Sequence, residues 1–269
     1  MQKTMEFYKY DGAGNDFVLL DIRESDPELT QKQIAYICHR RFGVGADGLM
    51  TLGPSDKADF EMRYYNSDGA LGSMCGNGGR CIAAFANSLG LGHIDKESKR
   101  KTLDFIGFDG PHRAEILLWN DDKHFGLVRL GMRDVECASV RRVADGWFLD
   151  TGSPHYVQRV NDLEHFDVVG EGRRLRNRTD LFPEGANINF IEDLPDGRLF
   201  VRTYERGVED ETYACGTGVT ACSIVSGNHK LLTLGGDFKV EFDATGDAYR
   251  NIWLTGPVSF NFKGVMNCV

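Results

Sequence analysis

An internal repeat constrains the fold of this 269-residue chain more than any other feature of its sequence. Four anchor points recur in the same order in the two halves: residues 14–15 and 152–153 (GN, GS), 45–47 and 185–187 (GAD, GAN), 62–66 and 201–205 (MRYYN, VRTYE), and 75–78 and 215–218 (CGNG, CGTG). Twenty-eight residues separate Asp47 from Cys75, and the same number separates Asn187 from Cys215. Two copies are too few for a solenoid, so the repeat predicts two duplicated domains that face each other across a cleft.

The two halves have the pattern of an α+β fold with many short strands. We expect each to be a mixed, mostly antiparallel sheet or barrel around a central helix, with the active site in the cleft between the domains. A polar break at residues 120–125 (NDDKHF) marks the boundary between them. The predicted domains are residues 1–121 and 122–256, and a C-terminal strand at about 257–269 is expected to cross back to the first domain.

Local patterns predict the individual elements. Apolar stretches rich in β-branched and aromatic residues and bounded by turn residues predict strands; they lie at residues 16–21, 60–65 and 198–204. Helical spacing of apolar residues, with capping residues at the ends, predicts three helices; they lie at residues 30–41, 80–89 and 219–225. Gly227 is expected to close the last of these helices.

Composition excludes several classes of protein. A net charge of −9 argues against a general nucleic-acid binder. No apolar run approaches the roughly 18 residues of a membrane span, and the first residues turn polar too early for a signal peptide, so we expect a cytoplasmic protein without a membrane partner. The seven cysteines form no C-x-x-C pair, which gives no support for a metal site and predicts thiols in a reducing compartment.

The sequence Cys-Gly-x-Gly before a run of small residues predicts a thiol at the start of a helix. The positive end of the helix dipole favours the thiolate there. The glycines let backbone N–H groups approach an anion closely. Taken alone, so short a pattern more often marks a buried structural cysteine. Its duplication at Cys75 and Cys215 instead predicts two thiols that act on one substrate from opposite faces.

Two opposed thiols suit the inversion of a carbon centre without a cofactor. One thiolate would remove the α-proton of an amino acid, and the opposite thiol would return a proton to the other face. Asn77, Thr217 and the neighbouring amides could hold the α-carboxylate and stabilise the charge that develops on it. Glu205 could bind the substrate ammonium, and Arg206 a second carboxylate. His155 could orient or polarise a thiol.

Taken together, the motifs give the chain a specific resemblance along nearly its whole length. It resembles the diaminopimelate epimerase family at residues 12–17 (GAGNDF), 41–47 (RFGVGAD), 65–69 (YNSDG), 75–81 (CGNGGRC), 152–155 (GSPH), 185–187 (GAN), 204–207 (YERG) and 214–218 (ACGTG). The resemblance implies a cofactor-independent enzyme, free of pyridoxal phosphate and of metal, that interconverts LL- and meso-2,6-diaminopimelate in lysine and peptidoglycan biosynthesis. It also implies two pseudo-symmetric domains and a homodimer.

The resemblance assigns roles to individual positions. Cys75 and Cys215 would be the two acid–base thiols, supported by His155 and Glu205. The residues that would line the substrate are Asn15, Asn66, Gly76, Asn77, Asn187, Glu205, Arg206, Gly216 and Thr217.

Two positions depart from the family pattern. Gly48 stands where the family often has Gln, and Ser153 where it usually has Asn. Each change removes an amide that would lie near the substrate, and a serine hydroxyl offers fewer hydrogen-bonding groups than an amide. We expect activity on diaminopimelate to survive, because the two thiols are unaffected.

Two other functions remain open at this point. A proline or hydroxyproline racemase also pairs two cysteines, but that family typically has His after the first Cys-Gly and Ser-Pro before the second Cys. This chain has Asn77 there and Tyr213-Ala214 before Cys215. A redox sensor, in which Cys75 and Cys215 form a switch disulfide, is the alternative without catalysis.

Overall fold

The computed structural model describes residues 4–72 and 75–267. Within that part, the chain forms two compact units. The first takes in the described chain up to Leu130 and resumes at Pro257, and the second comprises Gly131–Gly256. The boundary lies nine residues beyond the predicted one. The reason is that the strand after the polar break at residues 120–125 pairs with the strand before it and extends the sheet of the first unit.

The first unit holds two helices among its strands. In chain order its elements are β1 (Thr4–Gly12), β2 (Asn15–Asp21), α1 (Gln31–Cys38), β3 (Gly48–Gly53), β4 (Phe60–Asn66), α2 (Gly76–Ser88), β5 (His93–Ile94), β6 (Lys101–Gly107), β7 (Gly110–Asn120) and β8 (Phe125–Gly131).

The second unit repeats this plan. Its elements are β9 (Val135–Glu136), β10 (Arg141–Val143), β11 (Gly146–Asp150), β12 (Pro154–Arg159), α3 (Val168–Arg176), β13 (Asn187–Asp193), β14 (Leu199–Glu205), β15 (Asp210–Thr212), α4 (Gly216–Ser226), β16 (Lys230–Thr233), β17 (Gly236–Ala244) and β18 (Ala248–Asn267). The first part of β18 pairs with β17. Its last part pairs with β1 of the first unit, in the stretch where the sequence predicts a strand of that domain. Residues 268–269 of that prediction, and with them Cys268, lie outside the described residues.

The duplication is visible in the order and sense of strand pairing. In the first unit, β1–β2 is antiparallel, β2–β3 parallel, β3–β4 antiparallel, β4–β6 parallel and β6–β7 antiparallel. The second unit gives the same series with β11–β12, β12–β13, β13–β14, β14–β16 and β16–β17. The fold class is therefore the predicted duplicated α+β architecture of mixed sheets.

The strand registers correct one part of the sequence alignment. Gly48 pairs with Phe17, and Asn187 pairs with His155, at matching positions of the two parallel strand pairs. Gly48 is therefore the structural equivalent of Asn187. Counting residues back from the cysteines aligns Asp47 with Asn187 instead. The count is off by one because the connection from β4 to α2 is one residue shorter than the connection from β14 to α4.

Each unit buries one helix that begins at a cysteine. Every residue of α2 from Gly76 to Ala86 is buried, and so is most of α4. Cys75 and Cys215 are their N-cap residues, both with extended backbone. Both helices begin three or four residues earlier than the apolar spacing predicts, since their first turns are rich in glycine, and both begin where the Cys-Gly-x-Gly motif places a cysteine at a helix start. Gly227 closes α4 in the left-handed conformation, with φ of 72°, as predicted.

The remaining helices lie nearer the surface. Thr30 caps α1 through a reciprocal bond with Gln33, although the helix ends three residues before the predicted Arg41. The sequence patterns did not predict α3, whose N-cap is Asp167. None of the helices in the described ranges has the length and apolar character that a bilayer crossing requires.

Candidate active site

The thiol of Cys75 lies at the N-terminus of α2 among backbone and amide groups. The Gly78 N–H donates to its sulfur over 3.1 Å, which places a donor of the first helical turn on the thiol. The Oδ1 of Asn15 lies 4.0 Å from the same sulfur and accepts from Asn77 Nδ2 at 3.4 Å. Cys75, Asn15 and Asn77, all predicted from the sequence, therefore form one cluster in the first unit.

Two charged groups, one exposed and one buried, orient these amides. Asn15 donates through Nδ2 to Asp47 at 2.7 Å, so its Oδ1 must face the thiol. The guanidinium of Arg80 is fully buried and donates to Asn77 Oδ1 and to the Gly76 carbonyl, each at 3.0 Å. Burial lowers the pKa of Arg80 to about 10, which still leaves it charged at neutral pH.

An ion-pair network lies behind Asn15. Asp16 pairs with Lys9 at 2.6 Å and with Arg40 at 2.7 Å, and Arg40 also binds Asp47 at 2.6 Å. Burial opposes the charge on Asp16, but hydrogen bonds from Arg40 and Lys9 outweigh it and lower the pKa of Asp16 to about 2. The network thus fixes the carboxylate that holds Asn15.

The thiol of Cys215 is surrounded by side-chain hydroxyls and a histidine. Its sulfur lies 3.4 Å from Thr217 Oγ1, which lies 2.9 Å from Nε2 of His155. Ser153 Oγ contacts the same two groups, at 3.0 Å from His155 Nε2 and 3.2 Å from Thr217 Oγ1. Within the second unit, His155 therefore reaches Cys215 through Thr217.

Asn187 joins this cluster to the loop that follows β14. Its Nδ2 donates to Ser153 Oγ at 3.3 Å and to the Pro154 carbonyl at 3.2 Å, and its Oδ1 accepts from the Arg206 N–H at 2.9 Å. The orientation of the Asn187 amide is fixed, since its oxygen meets a donor and its nitrogen meets a carbonyl.

The other predicted residues lie at the ends of strands β4 and β14. Glu205 accepts from Thr212 Oγ1 at 3.0 Å. The guanidinium of Arg206 donates to the Glu184 carbonyl at 2.9 Å. Asn66 is exposed at the end of β4, and its backbone N–H donates to the Ala70 carbonyl. Gly76 and Gly216 are the first, buried residues of α2 and α4.

Sequence reasoning missed Asn189, which is fully buried behind His155. Its Nδ2 lies 3.1 Å from His155 Nδ1, and its Oδ1 accepts from Thr203 Oγ1 at 2.9 Å. The available signal was an Asn-x-Asn pair on β13, because residues two apart on a strand share a face. The absence of a side chain at Gly218 leaves room for the Asn189 amide, since a Cβ at Gly218 would lie 2.4 Å from Asn189 Oδ1.

Burial makes His155 neutral. The ring is completely buried, and desolvation lowers the pKa of His155 to about 3. It can therefore donate one hydrogen bond and accept another at neutral pH, but it does not carry a positive charge.

The cysteines outside the two clusters have different surroundings. Cys81 and Cys222 are fully buried, and burial raises the pKa of each thiol well above its usual range. Burial likewise raises the pKa of Cys38 to about 12. Because the thiolate is the reactive form, these three thiols are poor acid–base groups.

Several solved structures that carry different protein names share this fold. A probable proline racemase from Agrobacterium radiobacter K84 matches with a TM-score of 0.69 at 14% identity, covering 97% of this chain and 92% of that one. A PhzF-family phenazine biosynthesis protein from Bacillus anthracis matches with a TM-score of 0.66 at 16% identity, covering 98% and 99%. At this level of identity the likeness defines the fold, a duplicated α+β architecture.

Sequence comparison is more specific. The family model of diaminopimelate epimerase matches residues 7–103 and 147–258. The diaminopimelate epimerase of Flavobacterium psychrophilum is 43% identical, over 96% of this chain and 99% of its own length. That of Aquifex aeolicus is 36% identical, over 97% of both. The chain belongs to the diaminopimelate epimerase family and is an isomerase.

Proposed function

We propose that the protein interconverts LL-2,6-diaminopimelate and meso-2,6-diaminopimelate by a two-base mechanism without a cofactor. The observation that carries this proposal is the placement of Cys75 and Cys215 as N-caps of two buried helices in duplicated units. A helix N-terminus stabilises negative charge, both on a thiolate and on a bound carboxylate. Membership of the diaminopimelate epimerase family supports the choice of substrate.

The mechanism conserves protons across one turnover. One cysteine, as thiolate, removes the α-proton of one end of the substrate and becomes a thiol. The other cysteine, as thiol, delivers its proton to the opposite face of the carbanion and becomes a thiolate. The two sulfurs thus exchange protonation states with each inversion, and the reverse reaction resets them.

The carbanion between these steps requires stabilisation, because an α-proton is very weakly acidic. The first-turn amides of α2 and α4 are fixed donors that can bind the α-carboxylate as charge moves onto it. Asn77 is held in place by the buried Arg80, and Asn15 by Asp47, so neither amide has to reorganise during the reaction. Donors that are already oriented cost little reorganisation in the transition state.

The polar residues at the end of β14 suit the ends of a diamino diacid. Glu205 offers a carboxylate to the substrate ammonium, and the half-buried Arg206 offers guanidinium donors to a carboxylate. Asn187 bonds the Arg206 backbone N–H and therefore positions this loop next to Ser153. A second charged end distinguishes diaminopimelate from proline.

Proton NMR in D₂O tests the proposal. The reduced protein is incubated with LL-diaminopimelate and no added pyridoxal phosphate. We expect loss of α-proton signal together with appearance of the meso isomer. Proline and trans-4-hydroxyproline, assayed in parallel, separate this activity from that of the racemases with the same fold. A folded, reduced protein that exchanges no α-proton of diaminopimelate would refute the proposal.

A redox role makes a different prediction in the same samples. If Cys75 and Cys215 served only as a switch, oxidation would change the thiol count and the reduced protein would turn over no amino acid. Thiol titration with and without reductant, beside the activity assay, distinguishes the two functions.

Family membership supports two further proposals. We propose that the reaction serves lysine and peptidoglycan biosynthesis in the cytoplasm, and that the protein works as a homodimer. Light scattering after gel filtration tests the second proposal, since a monomeric mass at assay concentrations would contradict it.

A further inference from the structure

We propose that Asn189 is a positioning residue that fixes the tautomer of His155, so that Nε2 carries the ring proton and the surrounding hydrogen bonds all point toward Cys215 Sγ. This proposal rests on the proposed function only for its effect on turnover, because the tautomer itself can be observed without substrate.

The orientation of the Asn189 amide is determined by its neighbours. Its Nδ2 lies 2.9 Å from the Tyr156 carbonyl and 3.3 Å from the Asn187 carbonyl, and a carbonyl can only accept. Its Oδ1 accepts from the Thr203 hydroxyl on the other side. The group that faces His155 Nδ1 at 3.1 Å is therefore the NH₂, which donates.

An NH₂ donor at Nδ1 leaves one tautomer of the ring. Nδ1 must accept, so the proton of the neutral imidazole lies on Nε2. A doubly protonated ring would set an N–H against the Asn189 NH₂ in a fully buried place. Geometry and burial thus favour the same neutral form.

The Nε2–H then donates to the hydroxyls next to it. Thr217 Oγ1 lies 2.9 Å away and Ser153 Oγ 3.0 Å away. Ser153 Oγ already accepts from Asn187 Nδ2, whose orientation is fixed by the Arg206 N–H, so the Ser153 hydroxyl proton is available to Thr217.

Thr217 receives these donors and passes its own proton toward the thiol. Its Oγ1 accepts from His155 or Ser153, so its hydroxyl hydrogen can lie along the 3.4 Å line to Cys215 Sγ. A hydroxyl that donates to sulfur stabilises the thiolate relative to the thiol. Reversing the tautomer of His155 would make Nε2 an acceptor and draw the Thr217 proton away from Cys215.

The wild-type protein provides the first test. The protein is labelled with ¹⁵N-histidine, and the ring-nitrogen shifts and couplings are recorded at neutral pH in the absence of substrate. The chain has seven histidines, so the His155 signals are assigned by their loss in His155→Gln. We expect a protonated Nε2 and an unprotonated Nδ1. A ring protonated at Nδ1 would overturn the proposal.

Asn189→Asp provides the second test. A carboxylate accepts where the amide donated, so we expect the His155 proton to move to Nδ1. We expect kcat to fall by roughly 10- to 100-fold, the effect of one misdirected hydrogen bond on a reacting group, with KM changed less than about threefold. An unchanged kcat with a reversed tautomer would refute the role of Asn189.

Control variants separate positioning from general destabilisation. Ser223→Ala removes the hydrogen-bonding group of another fully buried residue of the second unit, a hydroxyl that donates to the Asn228 carbonyl. It should leave both the tautomer and kcat unchanged. If Asn189→Asp does not fold, Asn189→Ala removes the donor without burying a charge, and the NMR signals of His155 should then show a mixture of tautomers. A wild type that is inactive on diaminopimelate would refute the proposed function, while the tautomer would still decide this proposal.

Discussion

Gly48 and Asn187 occupy the same position in the sheets of the two units, yet one has no side chain and the other a fixed amide. Gly48 pairs with Phe17, which lies two positions after Asn15. Asn187 pairs with His155, which lies two positions after Ser153. Duplication has therefore left the two half-sites with matching backbones and different chemistry.

Gly48 has no room for a side chain, and this gives a first prediction. A Cβ there would lie 2.7 Å from Tyr64 Cε2 and 2.7 Å from the Tyr65 carbonyl oxygen. We expect Gly48→Ala to lower the free energy of unfolding by about 1–3 kcal/mol, the usual cost of overpacking. Urea unfolding measures it.

Gly53→Ala is the matched control on the same strand. Its Cβ would meet the Ile22 side chain at 3.5 Å, an ordinary contact. Equal stability of the two variants would show that Tyr64 and the Tyr65 backbone both shift at little cost. In that case Gly48→Gln would be a practical way to restore the amide that the family often has at this position.

The two-base mechanism predicts that each thiol is indispensable. Cys75→Ala and Cys215→Ala should each reduce kcat by at least about 10²- to 10⁴-fold, because each removes the proton carrier of one face. Cys81→Ala and Cys222→Ala are matched controls on α2 and α4, and they should leave most activity intact. NMR of both isomers in D₂O gives the rates. Substantial activity in either first-named variant would exclude the mechanism.

Ser153 gives a third prediction, because its hydroxyl joins three side chains of the second unit. Ser153→Ala removes the contacts to His155, Thr217 and Asn187 together. We expect a fall in kcat of roughly tenfold, the effect of one or two neutral hydrogen bonds. Ser226→Ala, which removes a bond to the Cys222 carbonyl at the far end of α4, should have no effect on kcat. If both variants kept full activity, the Ser153 hydroxyl would not be required to hold Thr217 and His155 in their active arrangement.

The burial of His155 predicts an acid-side loss of stability. Burial holds its pKa at about 3 in the folded protein, against about 6.5 in the unfolded chain. Between these values the unfolded state binds more protons, so the free energy of unfolding falls as pH decreases. The slope of this contribution is about 1.4 kcal/mol per pH unit, and it vanishes above pH 6.5.

Urea unfolding of wild type and His155→Gln between pH 7 and pH 4 measures this contribution. The difference in free energy of unfolding between the two proteins should stay constant above pH 6.5. Below pH 6.5 the wild type should lose stability relative to His155→Gln. His165→Gln is the control, since His165 is exposed and Asp162 raises its pKa. Its removal cannot flatten the acid-side loss. Parallel curves for wild type and His155→Gln would show that His155 becomes protonated while the protein stays folded.

Much of the fold could be predicted because the repeat appears in the sequence as motifs with regular spacing. Apolar spacing alone places the starts of α2 and α4 too late, since Gly76 and Gly216 are poor helix formers, and only the Cys-Gly-x-Gly motif indicates a cysteine at each helix start. The equivalence of Gly48 and Asn187 was also hidden. A one-residue difference in loop length shifts the count, and only the strand register reveals it.

The candidate site shows the same division. Motif residues such as Asn15 and Thr217 could be chosen from the sequence, because they lie beside the cysteines or at the repeated anchors. The Asn-x-Asn spacing places Asn189 on the same face of β13 as Asn187 but does not show its role, since that role depends on a ring from the neighbouring strand. Buried partners contributed by separate strands leave little trace in a single sequence.

Phe17 stands in the first unit where His155 stands in the second, and this difference has a kinetic consequence. Under the proposed two-base mechanism, the ring nitrogen of His155 serves the half-site of Cys215, and the benzene ring of Phe17 holds the matching register position in the first unit, so the two faces of the carbanion meet unequal proton carriers. The deuterium isotope effects measured from the LL and from the meso isomer should therefore differ, so the chain's ancestral symmetry would be broken in its rates as well as in its residues.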